Sequence, residues 1–183
     1  MSDVSYVTAG KPKTGGAVAR AESGSTLPTT ASAALDAAFV VLGYCSEDGL
    51  VNSNSPSSDS IKAWGGDTVL NIQTEKPDTF KFTLLEVMNV EVLKAIYGSS
   101  NVSGTLTTGI TVNANADDQE VASWVFDMIL RDGALKRIVV PKAQITEIED
   151  ITYADSDAVG YGITLSAMPD SSGNTHYEYI LKA

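Results

Sequence analysis

The fold is decided by the stretch Val159-Gly160-Tyr161-Gly162-Ile163-Thr164-Leu165-Ser166-Ala167. Large apolar side chains alternate here with glycine, threonine and serine. In a β-strand successive side chains point to opposite faces, so a period of two predicts a strand with one buried face. One strand cannot bury that face alone, and other strands must therefore pack with it in a sandwich or a barrel.

The same alternation recurs in at least three further segments. Phe80, Phe82 and Leu84 alternate with polar residues, and a Thr-rich strand is expected over residues 105–113. In residues 121–131 one face is wholly apolar and consists of Ala122, Trp124, Phe126, Met128 and Leu130. Trp124 is therefore predicted to lie in the core. With the remaining apolar runs, the sequence predicts a mainly β, sandwich-like or barrel-like domain of about nine or ten strands.

Turn and helix signals separate these strands. Asp132-Gly133 lies between two strands and predicts a tight hairpin, because both central residues of such a turn need a positive φ. One flanking α-helix is predicted over about residues 90–97, with Asn89 as its N-cap and Gly98 at its end. A shorter helical turn is expected over 33–38.

Two segments lack this periodicity. Residues 1–15 are mostly small and polar, and we expect a flexible N-terminal arm that precedes a single β domain of residues 16–183. Residues 46–67 are rich in serine, asparagine, glycine and acidic side chains. Loops longer than about 12–15 residues are usually functional or disordered. Because this one also contains Ile61 and Trp64, we interpret it as a projecting loop that contacts another chain.

The charge balance argues against a protein that binds nucleic acid tightly. The chain has 12 Lys and Arg residues against 23 Asp and Glu residues, a formal net charge of −11. Residues 1–20 carry +2, so residues 21–183 carry −13. Proteins hold phosphates through Lys and Arg, and the body of this chain has the opposite sign. No apolar run approaches the roughly 20 residues of a membrane-spanning helix, and the chain begins without a secretory signal, so we expect an intracellular, non-membrane protein.

No combination of residues predicts an enzyme, a cofactor or a metal site. The single thiol, Cys45, lies in an apolar run and is expected to be a small buried residue. The only histidine, His176, is expected on the solvated face of a terminal strand. Short acidic clusters at 117–120, 147–150 and 155–157 lack the spacing of a calcium loop. Trp64, in the irregular segment, is a candidate interface anchor, with packing on its own domain as the alternative.

Several stretches together resemble a known family. They include Gly10-Lys11-Pro12-Lys13-x-Gly15-Gly16, Leu42-Gly43-Tyr44-x-Ser46-Glu47-Asp48-Gly49, Ile61-Lys62-Ala63-Trp64-Gly65-Gly66-Asp67-Thr68-Val69, residues 75–84 and residues 134–141. From about residue 10 to the C-terminus, the sequence resembles the major tail protein of siphovirus-type bacteriophages, the subunit of a long, non-contractile tail tube.

The resemblance implies a phage tail-tube β fold and a structural, non-enzymatic role in the virion, after assembly in the host cytoplasm. Six copies would close into a ring, and stacked rings would form a tube through which DNA passes without specific binding. Partners would be further copies of the chain and the tape measure, tail initiator and tail terminator proteins. The arm and the loop would make inter-subunit contacts through Lys11, Lys13, Glu47, Asp48, Trp64, Gly65, Gly66 and Asp67.

Two other classes of protein fit the same residues. A β-sandwich module that decorates a virion or mediates adhesion would form a monomer or a small closed oligomer. A secretion-system tube protein would share the ring architecture without a phage origin. The assembly state of the purified chain discriminates among these classes: long hollow tubes indicate a tail tube, isolated rings leave the secretion-system protein open, and discrete small particles favour a decoration module.

Overall fold

A computed structural model describes residues 2–182 and shows a mainly β protein with one α-helix, α1 (Val90–Tyr97). The described strands are β1 (Gly10–Pro12), β2 (Val18–Glu22), β3 (Val40–Val41), β4 (Val51–Asn54), β5 (Ser57–Lys62), β6 (Thr68–Glu75), β7 (Asp78–Leu84), β8 (Val102–Thr105), β9 (Gly109–Val112), β10 (Ala122–Leu130), β11 (Leu135–Ile148), β12 (Tyr161–Ala167) and β13 (Tyr177–Leu181). The predicted fold class is confirmed. The strands are more numerous than predicted, chiefly because two segments form hairpins.

Nine strands form one open sheet with antiparallel pairings. Its order is β3-β2-β10-β11-β12-β7-β4, with β1 paired to β10 and β13 paired to β11. The long β11 pairs with β13 through residues 135–139 and with β12 through residues 143–148. The register shifts near Ala122 and near Ile145, and such bulges bend and twist a sheet. Within residues 2–182 the main order ends at β3 and β4, β1 and β13 are each paired on one side only, and the sheet does not close into a barrel.

The bent sheet packs on itself. The ring centroid of Phe82 on β7 lies 5.2 Å from that of Phe126 and 6.0 Å from that of Trp124, both on β10. Two strands separate β7 from β10 in the sheet, so this contact requires the two halves to face each other as in a sandwich. Trp124 is buried, which confirms its predicted place in the core. Helix α1 contributes Ile96 and three further buried side chains to the protein interior.

The predicted helix and hairpin are confirmed. The Asn89 side-chain oxygen accepts a hydrogen bond from the backbone N–H of Glu91 at 3.0 Å, which satisfies one of the free donors of the first turn. Gly98 follows the last residue of α1 as the C-cap. Between β10 and β11, Asp132 and Gly133 both adopt a positive φ, 64° and 81°. The turn also includes Arg131, so it is one residue longer than predicted.

Two local predictions are wrong. Residues 105–113 are not one strand, because the chain reverses between β8 and β9 and the Thr105 and Thr108 hydroxyls hydrogen-bond across the turn at 3.0 Å. Residues 33–38 form no helical turn, because the Asp36 carboxylate accepts a hydrogen bond from the Ala38 N–H at 2.9 Å. Such local side-chain bonds compete with helix formation.

His176 is not solvated as predicted, because it packs against the edge of the sheet. Its ring meets that of Phe80 edge-on, with centroids 5.4 Å apart, and its Nδ1 lies 2.5 Å from Oδ2 of the buried Asp78. Since an ionised carboxylate only accepts hydrogen bonds, Nδ1 carries the proton. Asp78 also accepts bonds from the Thr175 hydroxyl at 2.6 Å and the Asn52 amide at 2.8 Å. This cluster joins β4, β7 and the start of β13.

We expect Asp78→Ala to lower the free energy of unfolding at neutral pH by about 1–3 kcal/mol, because the three partly buried groups that bond to Asp78 then have no acceptor. Burial by itself raises the pKa of Asp78, but the bonds from Thr175, Asn52 and His176 outweigh burial and hold the pKa below its usual value. The stabilisation is therefore present above the unfolded pKa of about 3.9 and is lost as the pH falls through the folded value. Urea unfolding from neutral to acidic pH measures it.

The difference between wild type and Asp78→Ala should accordingly narrow in acid. Asp59→Ala, which removes an exposed carboxylate from β5, serves as the matched control and should leave the urea midpoint unchanged. A difference that stays constant at low pH would show that the Asp78 charge is not the stabilising feature.

A second polar cluster lies on the opposite face of the sheet. Arg137 donates from Nε to Asp127 Oδ1 at 2.5 Å and from Nη2 to Oδ2 at 2.8 Å, and the two side chains are only 1% and 9% exposed. Its Nη1 donates to the backbone carbonyls of Thr30 and Ala33 at 3.1 and 2.7 Å. Lys13 adds a third charge, with its Nζ 3.2 Å from Asp127 Oδ2. The cluster thus fastens the segment between β2 and β3 to the central strands.

Candidate self-assembly surfaces

The segment predicted to be an irregular loop contains β4 and most of a projecting β-hairpin. Strand β4 pairs with β7, whereas β5 and β6 pair only with each other, and every residue of these two strands is exposed. The physical reason is an alternation that continues beyond residue 67, in which Leu70 and Ile72 alternate with Asn71 and Gln73. The projecting element therefore extends to Glu75.

One face of the hairpin carries three apolar side chains beside Asp59, which pairs with Ile72, and the other face is mainly polar. Ile61 pairs with Leu70, and Ile72 lies two residues further along the same face; the three side chains are 47–52% exposed. On the other face the Ser60 hydroxyl donates to the Asn71 side-chain oxygen at 2.7 Å. A two-stranded hairpin is marginally stable in water without a surface to cover its apolar face. Such an uncovered face is characteristic of an interaction surface.

Trp64 lies at the tip of this hairpin and is fully exposed, at 106% of the reference area. The Ala63 N–H donates to the Asp67 carbonyl at 2.8 Å, and the turn contains Gly65 and Gly66 with φ of 113° and 99°. Glycine adopts these angles without the steric cost that other residues incur. The alternative that Trp64 packs on its own domain is wrong, and its exposure fits an anchor that contacts another molecule.

The N-terminal segment is fixed to the sheet through residues 8–13. Strand β1 pairs with Met128–Leu130 of β10, so residues 10–12 are not part of a free arm as predicted. Lys13 is held by Asp127 of its own chain, as described above. Of the two lysines, Lys11 therefore remains the stronger candidate for a contact with another subunit.

Lys11 and Glu47 line the same cavity, which has a volume of about 320 Å³. Strand β1 forms one side of the cavity and residues 45–50 form the other. Cys45 also lines it; burial, and then the charge of Glu86, raises the pKa of this thiol to about 11. The thiol is therefore protonated at neutral pH. Asp48 lies outside the cavity and accepts a hydrogen bond from the Ser46 hydroxyl at 3.3 Å.

The structure divides the predicted contact residues into three sets. Four of them share the hairpin tip, namely Trp64, Gly65, Gly66 and Asp67, whereas Lys11, Glu47 and Asp48 lie at or near the cavity, and Lys13 is paired with Asp127. Sequence reasoning missed the apolar face of the hairpin. The alternation in residues 69–73 was the signal that could have found it.

The described residues contain neither a candidate metal cluster nor a candidate membrane-spanning helix. Within residues 2–182, no three His, Cys, Asp or Glu side chains are grouped so that they could hold a metal ion. Over the same described range, no helix is both long and apolar enough to cross a membrane.

The fold and these surfaces define a structural β protein with exposed elements suited to contacts between chains. The sequence matches the family described as phage tail tube protein over residues 2–183, and the chain therefore belongs to that family. It is accordingly a structural component of a phage tail, and it associates with copies of itself and with other tail proteins. No curated protein matches the sequence.

Proposed function

We propose that this chain is the subunit of a long, non-contractile, siphovirus-type tail tube that carries DNA from virion to host. In this proposal each chain contributes one β domain, six domains close into a ring, and rings stack into a tube. The observation that carries the proposal is the projecting hairpin, whose apolar face and tip tryptophan have no partner among the described residues.

Two kinds of contact are needed to build such a tube. A head-to-tail contact that closes produces a ring, and one that does not close produces a filament. In the part of the chain that the structure describes, four strands of the main sheet, β1, β3, β4 and β13, are paired on one side only. Pairing between neighbours at such edges would remove exposed strand edges as the ring closes. The hairpin extends away from the sheet and is suited to the contact between rings.

The acidic character of the chain supports a bore that does not hold DNA. Six subunits carry a formal charge of 6 × −11 = −66 per ring. Carboxylates at the bore would repel phosphates within a Debye length of about 8–10 Å. Repulsion prevents the Lys and Arg contacts through which proteins release counterions and hold DNA. The polyanion then passes through without adhering.

The remaining partners follow from the same proposal. A tube of defined length requires proteins that start it, measure it and stop it, and we assign these roles to tail initiator, tape measure and tail terminator proteins. Assembly takes place in the host cytoplasm, before the tail is part of the virion.

Negative-stain microscopy of the purified full-length chain tests this proposal. We expect hollow tubes built from six-fold rings, and we expect duplex DNA added at physiological salt to remain unbound in a gel-shift assay, since the surface is acidic. Tubes that retard DNA would contradict the acidic bore. Discrete monomers or small closed particles under all conditions, including with a tail initiator complex, would favour a decoration or adhesion module.

A further inference from the structure

The cavity beside β1 has both apolar and charged lining residues. It is lined by the apolar side chains of Leu50, Phe82, Phe126 and Met128, of which Phe82 and Phe126 are buried, and by the charged side chains of Lys11 and Glu47. Its volume is about 320 Å³. Cavities of about 150 Å³ with a similar apolar lining accommodate benzene. This cavity is therefore large enough for a bicyclic aromatic ring.

The hairpin tip offers such a ring. Trp64 is fully exposed, and the turn that carries it is narrow, because Lys62 pairs with Thr68 directly below it. A buried tryptophan contributes a large apolar area, and tryptophan is enriched among the residues that dominate the energy of interfaces. An exposed indole on a projecting turn can insert into a cavity on another molecule.

The charges of the two surfaces are complementary. The tip carries one cation, Lys62, two residues before Trp64, and one anion, Asp67, three residues after it. The cavity is lined by one cation, Lys11, and by the carboxylates of Glu47 and Asp127; Asp127 is already paired with Arg137 and Lys13 of its own subunit, which leaves Glu47 and Lys11 for a contact. When the indole enters the cavity, both pairs can meet with opposite signs. Rim charges of this kind fix the orientation of a contact more than they add to its affinity.

We propose that this cavity is the receptor for Trp64 of a second copy of this chain. The inference rests on the proposed tube and adds to it the identity of the receiving site. Because β1 forms one wall, an inserted indole would hold β1 against the body of the receiving subunit. Stacking would then order the N-terminal segment of the subunit that receives the hairpin.

A double-mutant cycle on tube formation tests the proposal. Trp64→Ala removes the inserted indole, and Leu50→Trp fills the cavity with a side chain of the receiving subunit itself. Each single change should raise the critical concentration for tubes about thirtyfold or more, as expected for loss of an interface hot spot. The double variant should be no worse than the poorer single variant, since both changes remove one contact. Effects that multiply would place Trp64 in another site and overturn the proposal.

A second readout does not depend on the cavity-filling variant. Cys45 is the only cysteine of the chain and lines the cavity, so N-ethylmaleimide reports directly on its occupancy. We expect Cys45 to react slowly in free subunits and to be protected in wild-type tubes, and Cys45→Ser provides the blank. Equal reactivity in tubes and in free subunits would overturn the receptor site but leave the tube intact. Failure of the wild-type chain to form any tube would overturn the proposed function as well.

Discussion

Arg137→Met lowers the free energy of unfolding by about 3–5 kcal/mol, the expected cost of leaving one buried charge without its partner. Arg137 makes two hydrogen bonds to Asp127, and both side chains are almost completely buried. Methionine fills much of the same volume. The loss of stability therefore arises from the buried Asp127 carboxylate that has lost its partner, and not from a large void. Urea unfolding at neutral pH measures the change.

The pH dependence identifies the cause of this loss. In the wild type, burial opposes ionisation of Asp127, but the bonds and charge of Arg137, with a smaller contribution from Lys13, hold its pKa below the usual value. Its stabilisation is therefore present above the unfolded pKa of about 3.9 and is lost as the pH falls through the folded value. In Arg137→Met, burial remains, so the pKa of Asp127 rises. The deficit of the variant should consequently shrink towards acidic pH.

Two matched variants control the experiment. Lys13→Met removes the half-exposed partner of the same carboxylate and should cost less than about 1 kcal/mol. The double variant Asp127→Leu, Arg137→Met removes both buried charges, and replacement of a whole buried pair by apolar residues is often neutral. It should recover most of the stability lost in Arg137→Met. A double variant as unstable as the single one would show that the Arg137 bonds to the Thr30 and Ala33 carbonyls, not the ion pair, carry the stability.

The parts of the fold that the sequence predicts are those with local signals. Helix α1 is predicted over 90–97, its observed extent, because its cap, its apolar stripe and its final glycine all lie within ten residues. Strand β12 follows from alternation alone. The prediction of a single strand for the Thr-rich segment is wrong, because alternation continues through both strands of a tight hairpin. Only a turn signal marks the point at which the chain reverses.

The polar clusters could not be predicted, because they join residues that are far apart in the chain. Asp78 and His176 are separated by 98 residues, and Arg137 and the Thr30 carbonyl by 107. The sequence therefore suggests a solvated histidine and a Lys13 that contacts another subunit, whereas tertiary packing gives each a carboxylate partner within the chain. These groups are brought together by the order and register of the strands, which cannot be derived from a single sequence.

The candidate assembly surfaces divide in the same way. Trp64, Gly65, Gly66 and Asp67 are adjacent in sequence and belong to the loop, residues 46–67, that the sequence predicts as a contact. The cavity is formed by β1, β7, β10 and residues 45–50, so its apolar lining has no counterpart in any single stretch. Lys11 and Glu47 were named separately, and the structure brings both to one cavity.

The apolar face of the hairpin gives the largest expected effect on assembly. Replacing Ile61, Leu70 and Ile72 by threonine retains strand propensity and removes the apolar surface. Full burial of such a side chain is worth about 1.5–3 kcal/mol, so three half-exposed side chains that become buried contribute about 3 kcal/mol. The critical concentration for tubes should then rise about a hundredfold, since each 1.4 kcal/mol is a factor of ten. Sedimentation of tubes from free subunits measures it.

The opposite face of the same hairpin supplies the control. Replacing Ser60, Asn71 and Gln73 by threonine changes three exposed residues of the same two strands, and tubes should form at close to the wild-type concentration. Both triple variants should unfold at the wild-type urea midpoint, because the hairpin contributes no side chain to the buried core. Equal losses of assembly from the two faces would mean that the hairpin contacts its neighbour through its backbone edges. A loss confined to the polar face would place the apolar face in solvent within the tube, and the stacking contact would have to lie elsewhere on the subunit.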